Sequence, residues 1–419
     1  MIVPKIIKCN YCNSKTLLRF QFSEGIIPFD FYCPNCGVSF GGNVDFSNGG
    51  KIEVTNAKEI ETDVKESDFY INISNDFLCR KVTKFVDIDE YICNGFSPFI
   101  MTTMMFKESE NLINANRRIN NYISFVKWFK ENIKPLYELF FSNKIDLLKE
   151  PLKKVSEHYI VDNELDAYMS LHQITVIGLS GIFEKQMLKS YTEIASNIIN
   201  SKNSNQIIKF INYLNKNNKF KIFYKKIYDI YLEWFKKTSK FLPVIFYSMC
   251  DSKMEIDKDL YGITTISFDD LKSFYSETYE LILEMICIPI GLNNIIERKD
   301  YNKFFADSNV KNFDEFFQLV KSKRIDSIFE NEPFSRKIFI NRHIRNSISH
   351  FDFEIDKNNQ LVIFHDSNRG KVVDEKMYFL DLGLLCFENV KIICYLNELL
   401  YSISKINYLN QGLSPNIKW

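Results

Sequence analysis

Two short pairs of cysteines constrain this chain more than any other feature: Cys9 with Cys12, and Cys33 with Cys36, each written C-x-x-C and separated by twenty residues. Two residues between thiols let one tight turn aim both sulfurs at a single ion. Two such turns supply the four ligands of a tetrahedral thiolate site, for which zinc is the suited ion. Asn13 and Gly37 follow the second cysteine of each pair, where such a turn calls for a positive φ. The segment between the pairs, Thr16–Tyr32, is apolar and partly alternating, as a zinc-ribbon hairpin is. All four ligands are protein, so no position is left open for substrate. The zinc is expected to be structural, with no cofactor for catalysis. The other six cysteines, Cys79, Cys93, Cys250, Cys287, Cys386 and Cys394, lack ligand spacing, and most sit in apolar surroundings, as core residues do.

The 419 residues suggest two or three domains. Lysine plus arginine balance aspartate plus glutamate at 53 each. No global basic field draws nucleic acid, and any such binding must be local. The first eight residues carry no long apolar stretch, so no secretory signal is expected. The apolar stretches Phe241–Cys250 and Leu384–Ile406 are short or broken by Glu388, Lys391 and Glu398. No membrane span is needed, and a cytoplasmic chain with reduced thiols is expected.

The patterning reads as mostly α. A zinc ribbon at 1–45 is followed by a linker or small sheet extension at 46–66. A helical middle domain at 67–255 comes next, a possible sensor, with Leu165, Met169 and Val176 at helical spacing. The part from 256 to 419 has a definite order. A helix over about 269–288 ends near Pro289. A polar connection runs over 298–332. A helix after Pro333 is followed by alternation at Phe351, Phe353 and Ile355, a turn at Asn358–Asn359, and a return at Leu361–Phe364. That is a β-hairpin signature. A long helix over about 379–407 follows.

The helix after Pro333 reads R-H-I-R-N-S-I-S-H over residues 342–350. Ile340, Ile344, Ile348 and Phe351 form one apolar stripe at helical spacing. Arg345 lies roughly 100° to one side and His350 roughly 120° to the other, with Asn346 between them on the far face. His350 falls where the helix should end, which frees its ring.

This R-N-x-x-x-H pattern, on a helix followed by a hairpin and a closing helix, resembles the HEPN superfamily. The resemblance covers roughly 256–419 and implies a helical bundle with an inserted hairpin. Many members are metal-independent ribonucleases of toxin, abortive-infection and CRISPR-type defence systems. By resemblance, Arg345, Asn346 and His350 are the catalytic motif. Two copies would pair as a homodimer with a composite site; an acidic residue on the first helix takes part in some members, and Glu280 and Glu284 are the candidates here. The implied function is anti-phage or toxin cleavage of an RNA substrate, released by a phage-derived trigger or regulatory partner. The chemistry suits the residues. A 2′-hydroxyl attacks the adjacent phosphate, a histidine moves protons, and an arginine fork offsets the phosphorane's charge.

A rival reading is a non-catalytic module, in which the ribbon binds nucleic acid or protein and the HEPN-like part only dimerises. Arg342 and His343 share the motif's polar face and could grip a phosphate, or be solvated there. His365 and Arg369 lie at the hairpin's far end without a role. His158 and His172 read as structural. Lys209–Lys240 interleaves lysines with aromatic rings, which suits single-stranded RNA. Yet Phe223, Ile227, Ile230 and Trp234 repeat at helical spacing, and a buried stripe with a solvated lysine face is the plainer reading.

Overall fold

In the computed structural model each C-x-x-C pair is the turn of its own hairpin. The structure describes residues 1–23, 25–85, 97–183, 193, 196–198, 204–251, 256–328, 332–336, 338, 340–368 and 371–416. Cys93 and Arg369 lie outside them. β1 (Ile2–Cys9) pairs antiparallel with β2 (Lys15–Gln21), and β3 (Ile26–Tyr32) with β4 (Ser39–Asp45). Thr16–Tyr32 is therefore not one hairpin but the second strand of one and the first of another. Residues 46–66 add β5 (Lys51–Val54) and β6 (Ala57–Ile60) to these sheets, and β7 (Phe69–Ile73), β8 (Cys79–Arg80) and β9 (Thr83–Lys84) follow. β6-β1-β2-β7-β9 form one sheet and β3-β4-β5 another. Ile27, Phe29 and Phe31 alternate inward along β3, as a period of two dictates, and share a core with Leu18, Phe20 and Phe40.

Helices dominate the rest. They are α1 (Pro98–Met104), α2 (Ser109–Trp128), α3 (Lys134–Phe141), α4 (Lys149–Val155), α5 (Glu164–Leu179), α6 (Ser204–Lys216), α7 (Lys219–Lys236) and α8 (Thr238–Tyr247). A short β10 (Tyr261–Gly262) leads to α9 (Phe268–Met285), α10 (Cys287–Arg298) and α11 (Phe313–Gln318). α12 (Arg342–His350) carries the motif. β11 (Phe353–Asp356), β12 (Leu361–Asn368) and β13 (Lys371–Tyr378) precede α13 (Phe379–Asn410). Local sequence explains the boundaries. Asn163 and Asp166 close a reciprocal cap on α5. Pro289 begins no break of its own. The chain turns at Ile286, and Pro289 sits in the first turn of α10, where no intrahelical N–H is needed. α12 starts at Arg342 rather than directly after Pro333, because Asn341 caps it by accepting from the His343 and Ile344 amides. The expected hairpin has a third strand, β13.

The chain divides into two compact units. The first comprises 1–117, 236–276 and 341–388, and so holds the cysteine sheets, α8, α12 and β11–β13. Within it the Asp30 amide donates to the Thr264 carbonyl at 2.8 Å. Lys357 lies over the Tyr32 ring at 4.9 Å. Lys81 donates to the carbonyls of Lys258 and Asn359. Gln360, at the base of β12, donates to the Ile263 carbonyl at 2.7 Å and accepts from its amide at 3.1 Å. Gly262 permits this approach, since a Cβ there would lie 2.1 Å from the Gln360 Oε1.

The second unit comprises 118–235, 277–340 and 389–419. Phe223, Ile227, Ile230 and Trp234 on α7 are buried, as are Tyr224, Tyr228 and Phe235. The lysine-aromatic stretch thus centres on one amphipathic helix, α7, whose striped rings serve the core. Phe268–Arg298 is long and apolar enough to cross a membrane by length and composition, but 83% of its apolar window is buried within the protein.

Candidate functional site

The four cysteine sulfurs all lie within 4.8 Å of one another. Cys9 to Cys36 is 3.7 Å and Cys12 to Cys33 is 3.5 Å. A thiolate tetrahedron around zinc has S···S edges of about 3.8 Å, whereas a disulfide bond is about 2 Å. The spacing fits one shared ion. Both knuckles close with the same backbone bond: the Asn13 amide donates to the Cys9 carbonyl, and the Gly37 amide to that of Cys33. Asn13 has φ 63° and Gly37 φ 74°, as the turns require. The geometry could hold a metal ion and is compatible with structural zinc. Cys79, Cys287, Cys386 and Cys394 are buried, and Cys250 is half-buried.

α12 builds the second cluster. Ile344 is fully buried and Ile348 nearly so, which anchors the helix and turns its polar side away from the core. Phe351 leaves the expected apolar stripe: it is 79% exposed and adopts φ 56°, ending the helix in the left-handed region. That reversal is unusual for a bulky residue. It sets His350 at the exposed end of the helix. No hydrogen bond or ion pair holds the His350 ring among the described residues. Arg345 and Asn346 are half-buried.

Side chains from the strands lock this helix in place. Asn341 donates its amide to both oxygens of Glu375, at 2.8 and 2.9 Å. The Ser347 hydroxyl lies 2.9 Å from the His343 carbonyl and 2.7 Å from that of His365. Nδ1 of His343 lies 2.6 Å from Oδ2 of Asp366, and Asn346 Nδ2 lies 3.5 Å from the same oxygen. Asp366 had no sequence signal, because it stands on a strand twenty-three residues from its partner. His343 is therefore bound rather than merely solvated. His365 points elsewhere: its Nδ1 meets Asp374 at 2.7 Å, and this hydrogen bond raises its pKa against a lesser effect of burial.

Residues 278–399 match the family model HEPN pEK499 p136. The match covers less than a third of the chain and contains α12 and all three strands beside it. It supports a HEPN-superfamily reading of that segment. No curated protein and no solved structure matches the chain.

The remaining candidates lie in the second unit or on its surface. Glu284 is engaged by Lys226 and, at 2.6 Å, by Lys321, while Glu280 lies 3.7 Å from Lys321. Burial pushes the Glu284 carboxyl up, but the two lysines outweigh it and hold the pKa below the ordinary value. Glu284 thus serves an ion-pair network of its own. His172 is buried, 2.8 Å from Glu398 and stacked on Tyr401 at 3.7 Å, which makes it structural. His158 lies exposed in a turn.

Proposed function

We propose that this protein is a metal-independent endoribonuclease of the HEPN type, acting in anti-phage abortive infection or as a toxin. The observation that carries this reading is the state of His350. Its imidazole is exposed at the end of α12, with no hydrogen bond or ion pair among the described residues, on the polar side that Arg345 and Asn346 share. It lies inside the span that matches a family associated with ribonucleases. An imidazole in that position can exchange protons near neutral pH. Arg345 offers a planar fork of donors to a phosphorane that gains charge as O2′ attacks. Asn346 donates a further hydrogen bond or orients the phosphate. Two chains pairing through α12 would bring two such sets together. The cysteine sheets and the helical unit then serve to hold the nuclease inactive or to receive the trigger.

The test is cleavage of a mixed RNA pool by the full chain without added metal, beside His350→Ala purified in parallel. Wild type should leave 2′,3′-cyclic phosphate ends, and the variant should lose about 100-fold or more in rate. Equal cutting by both proteins would assign the activity to another source. If neither cuts, the same pair is compared for growth arrest on phage challenge. Arrest that survives His350→Ala, or no arrest at all, would favour a non-catalytic, dimerising role for the segment.

A further inference from the structure

Cleavage of RNA by its own 2′-hydroxyl moves two protons. One leaves O2′ as it attacks phosphorus, and one joins O5′ as the P–O5′ bond breaks. In each chain the motif supplies one imidazole, His350. α12 holds a second. His343 lies seven residues earlier, two turns of helix and about 10 Å along the axis, on the same side. Among the described residues His350 has no partner for its ring, whereas His343 is gripped. Its Nδ1 meets Asp366 at 2.6 Å, and Asp366 is only 8% exposed. Resting on the nuclease reading above, we propose that His343 is the general base of the cleavage and Asp366 its positioning residue.

A nearly buried carboxylate is costly unless it accepts hydrogen bonds. Asp366 is supplied by His343 and, at the outer limit of a hydrogen bond, by Asn346 at 3.5 Å. With Nδ1–H donating to the carboxylate, the neutral ring carries its lone pair on Nε2, away from Asp366. The His343 side chain is 33% exposed, so part of the ring meets solvent. Its backbone is equally fixed. Asn341 accepts from the His343 amide at 3.0 Å, and Ser347 ties the His343 carbonyl to the strand that carries Asp366. A residue needed only for solubility requires none of this support, whereas a proton-transfer group has to be held in place.

The step balances as follows. Nε2 of His343 takes the 2′-hydroxyl proton while O2′ bonds to phosphorus. The P–O5′ bond breaks, and O5′ takes a proton from the protonated ring of His350. Arg345 offsets the charge gained by the equatorial oxygens. The products are a 2′,3′-cyclic phosphate and a 5′-hydroxyl. The two histidines end with exchanged protonation and reset through solvent.

The test uses the full chain as wild type, His343→Asn, Asp366→Asn, the double variant and His350→Ala. Two substrates are compared: the RNA that wild type cuts, and the same RNA with sulfur in place of the leaving O5′, which departs without a proton. Asn at 343 keeps a donor near the Nδ1 position but has no atom at Nε2. We expect His343→Asn to lose about 10²- to 10⁴-fold in kcat on both substrates. His350→Ala should be slow on ordinary RNA and restored on the sulfur substrate. Asp366→Asn should lose roughly 10- to 100-fold, with the double variant no slower than His343→Asn alone, since Asp366 acts through the ring. Circular dichroism checks folding, and His343→Gln replaces any variant that fails to fold. Cleavage by His343→Asn within threefold of wild type would reduce the pair to a structural clasp. Rescue of His343→Asn by the sulfur substrate would make it the acid and overturn the assignment. If wild type leaves the RNA intact, growth arrest on phage challenge decides: no arrest, or arrest that survives His350→Ala, overturns the nuclease reading and this one with it; the other outcomes leave the nuclease reading standing.

Discussion

Replacing Gln360 by Leu should loosen the hairpin that presents Asp366 to α12. Gln360 is 7% exposed, and its side-chain amide satisfies both backbone groups of Ile263, a residue with no exposed surface. Leu fills nearly the same volume, so packing is largely kept while both hydrogen bonds vanish. Each buried backbone group left unpaired costs about 1–3 kcal/mol, and partial relaxation brings the pair to roughly 2–4 kcal/mol. The bond from the Phe379 amide to the Gln360 carbonyl, 2.8 Å, does not involve the side chain and should survive. The assay is urea unfolding of the full chain by circular dichroism, with the transition of each unit fitted separately because a chain with two compact units need not unfold in one step. The first unit should unfold at lower urea and the second should be unmoved. A loss below about 1 kcal/mol in the first unit would show that the two Ile263 groups find other partners and that Gln360 does not hold the hairpin.

Three further outcomes are expected. Wild type should carry one zinc per chain by elemental analysis, and Cys33→Ser should abolish it together with the folded signal of the cysteine sheets, since metal binding in such sites is folding free energy; a metal-free wild type with the same stability would refute the ribbon. Glu284→Gln should destabilise the protein by about 1 kcal/mol at pH 7, a value discounted for the half-exposed lysines. Because that carboxyl is held below its ordinary pKa, its contribution is present above the unfolded value and lost as pH falls through the folded one, so the two proteins should converge in acid. His365 should titrate above its ordinary 6.5 by NMR and fall back in Asp374→Asn; its pKa is raised, so its contribution is full below the unfolded value and fades as pH rises through the folded one.

Local chemistry was legible in the sequence and long-range pairing was not. The four cysteines announced their own convergence because two residues fix each knuckle, and the positive φ at Asn13 and Gly37 followed from the same turns. α7 was legible because its buried stripe repeats at the helical period. Phe351 was misplaced because its apolar side chain fits the stripe of α12, while the backbone reversal at that position takes it out to solvent. β13 escaped notice because half of Lys371–Tyr378 is charged, without strict alternation, and the segment owes its strand to pairing with β12. Asp366 could not be found by spacing at all, since only the fold of the strands brings it to His343.

The first unit is sewn from segments that lie far apart along the chain, 1–117 with 341–388. At ribosomal speeds of roughly 5–20 residues per second, those segments emerge on the order of 10–70 seconds apart. The strands around the cysteines can form first, but α12 and the carboxylate that grips it have no existence until residues 341–388 have emerged. A nascent chain therefore cannot display the motif in its finished surroundings, and any fragment released before residue 341 lacks it altogether. The order of the chain thus sets the order in which this unit can be completed.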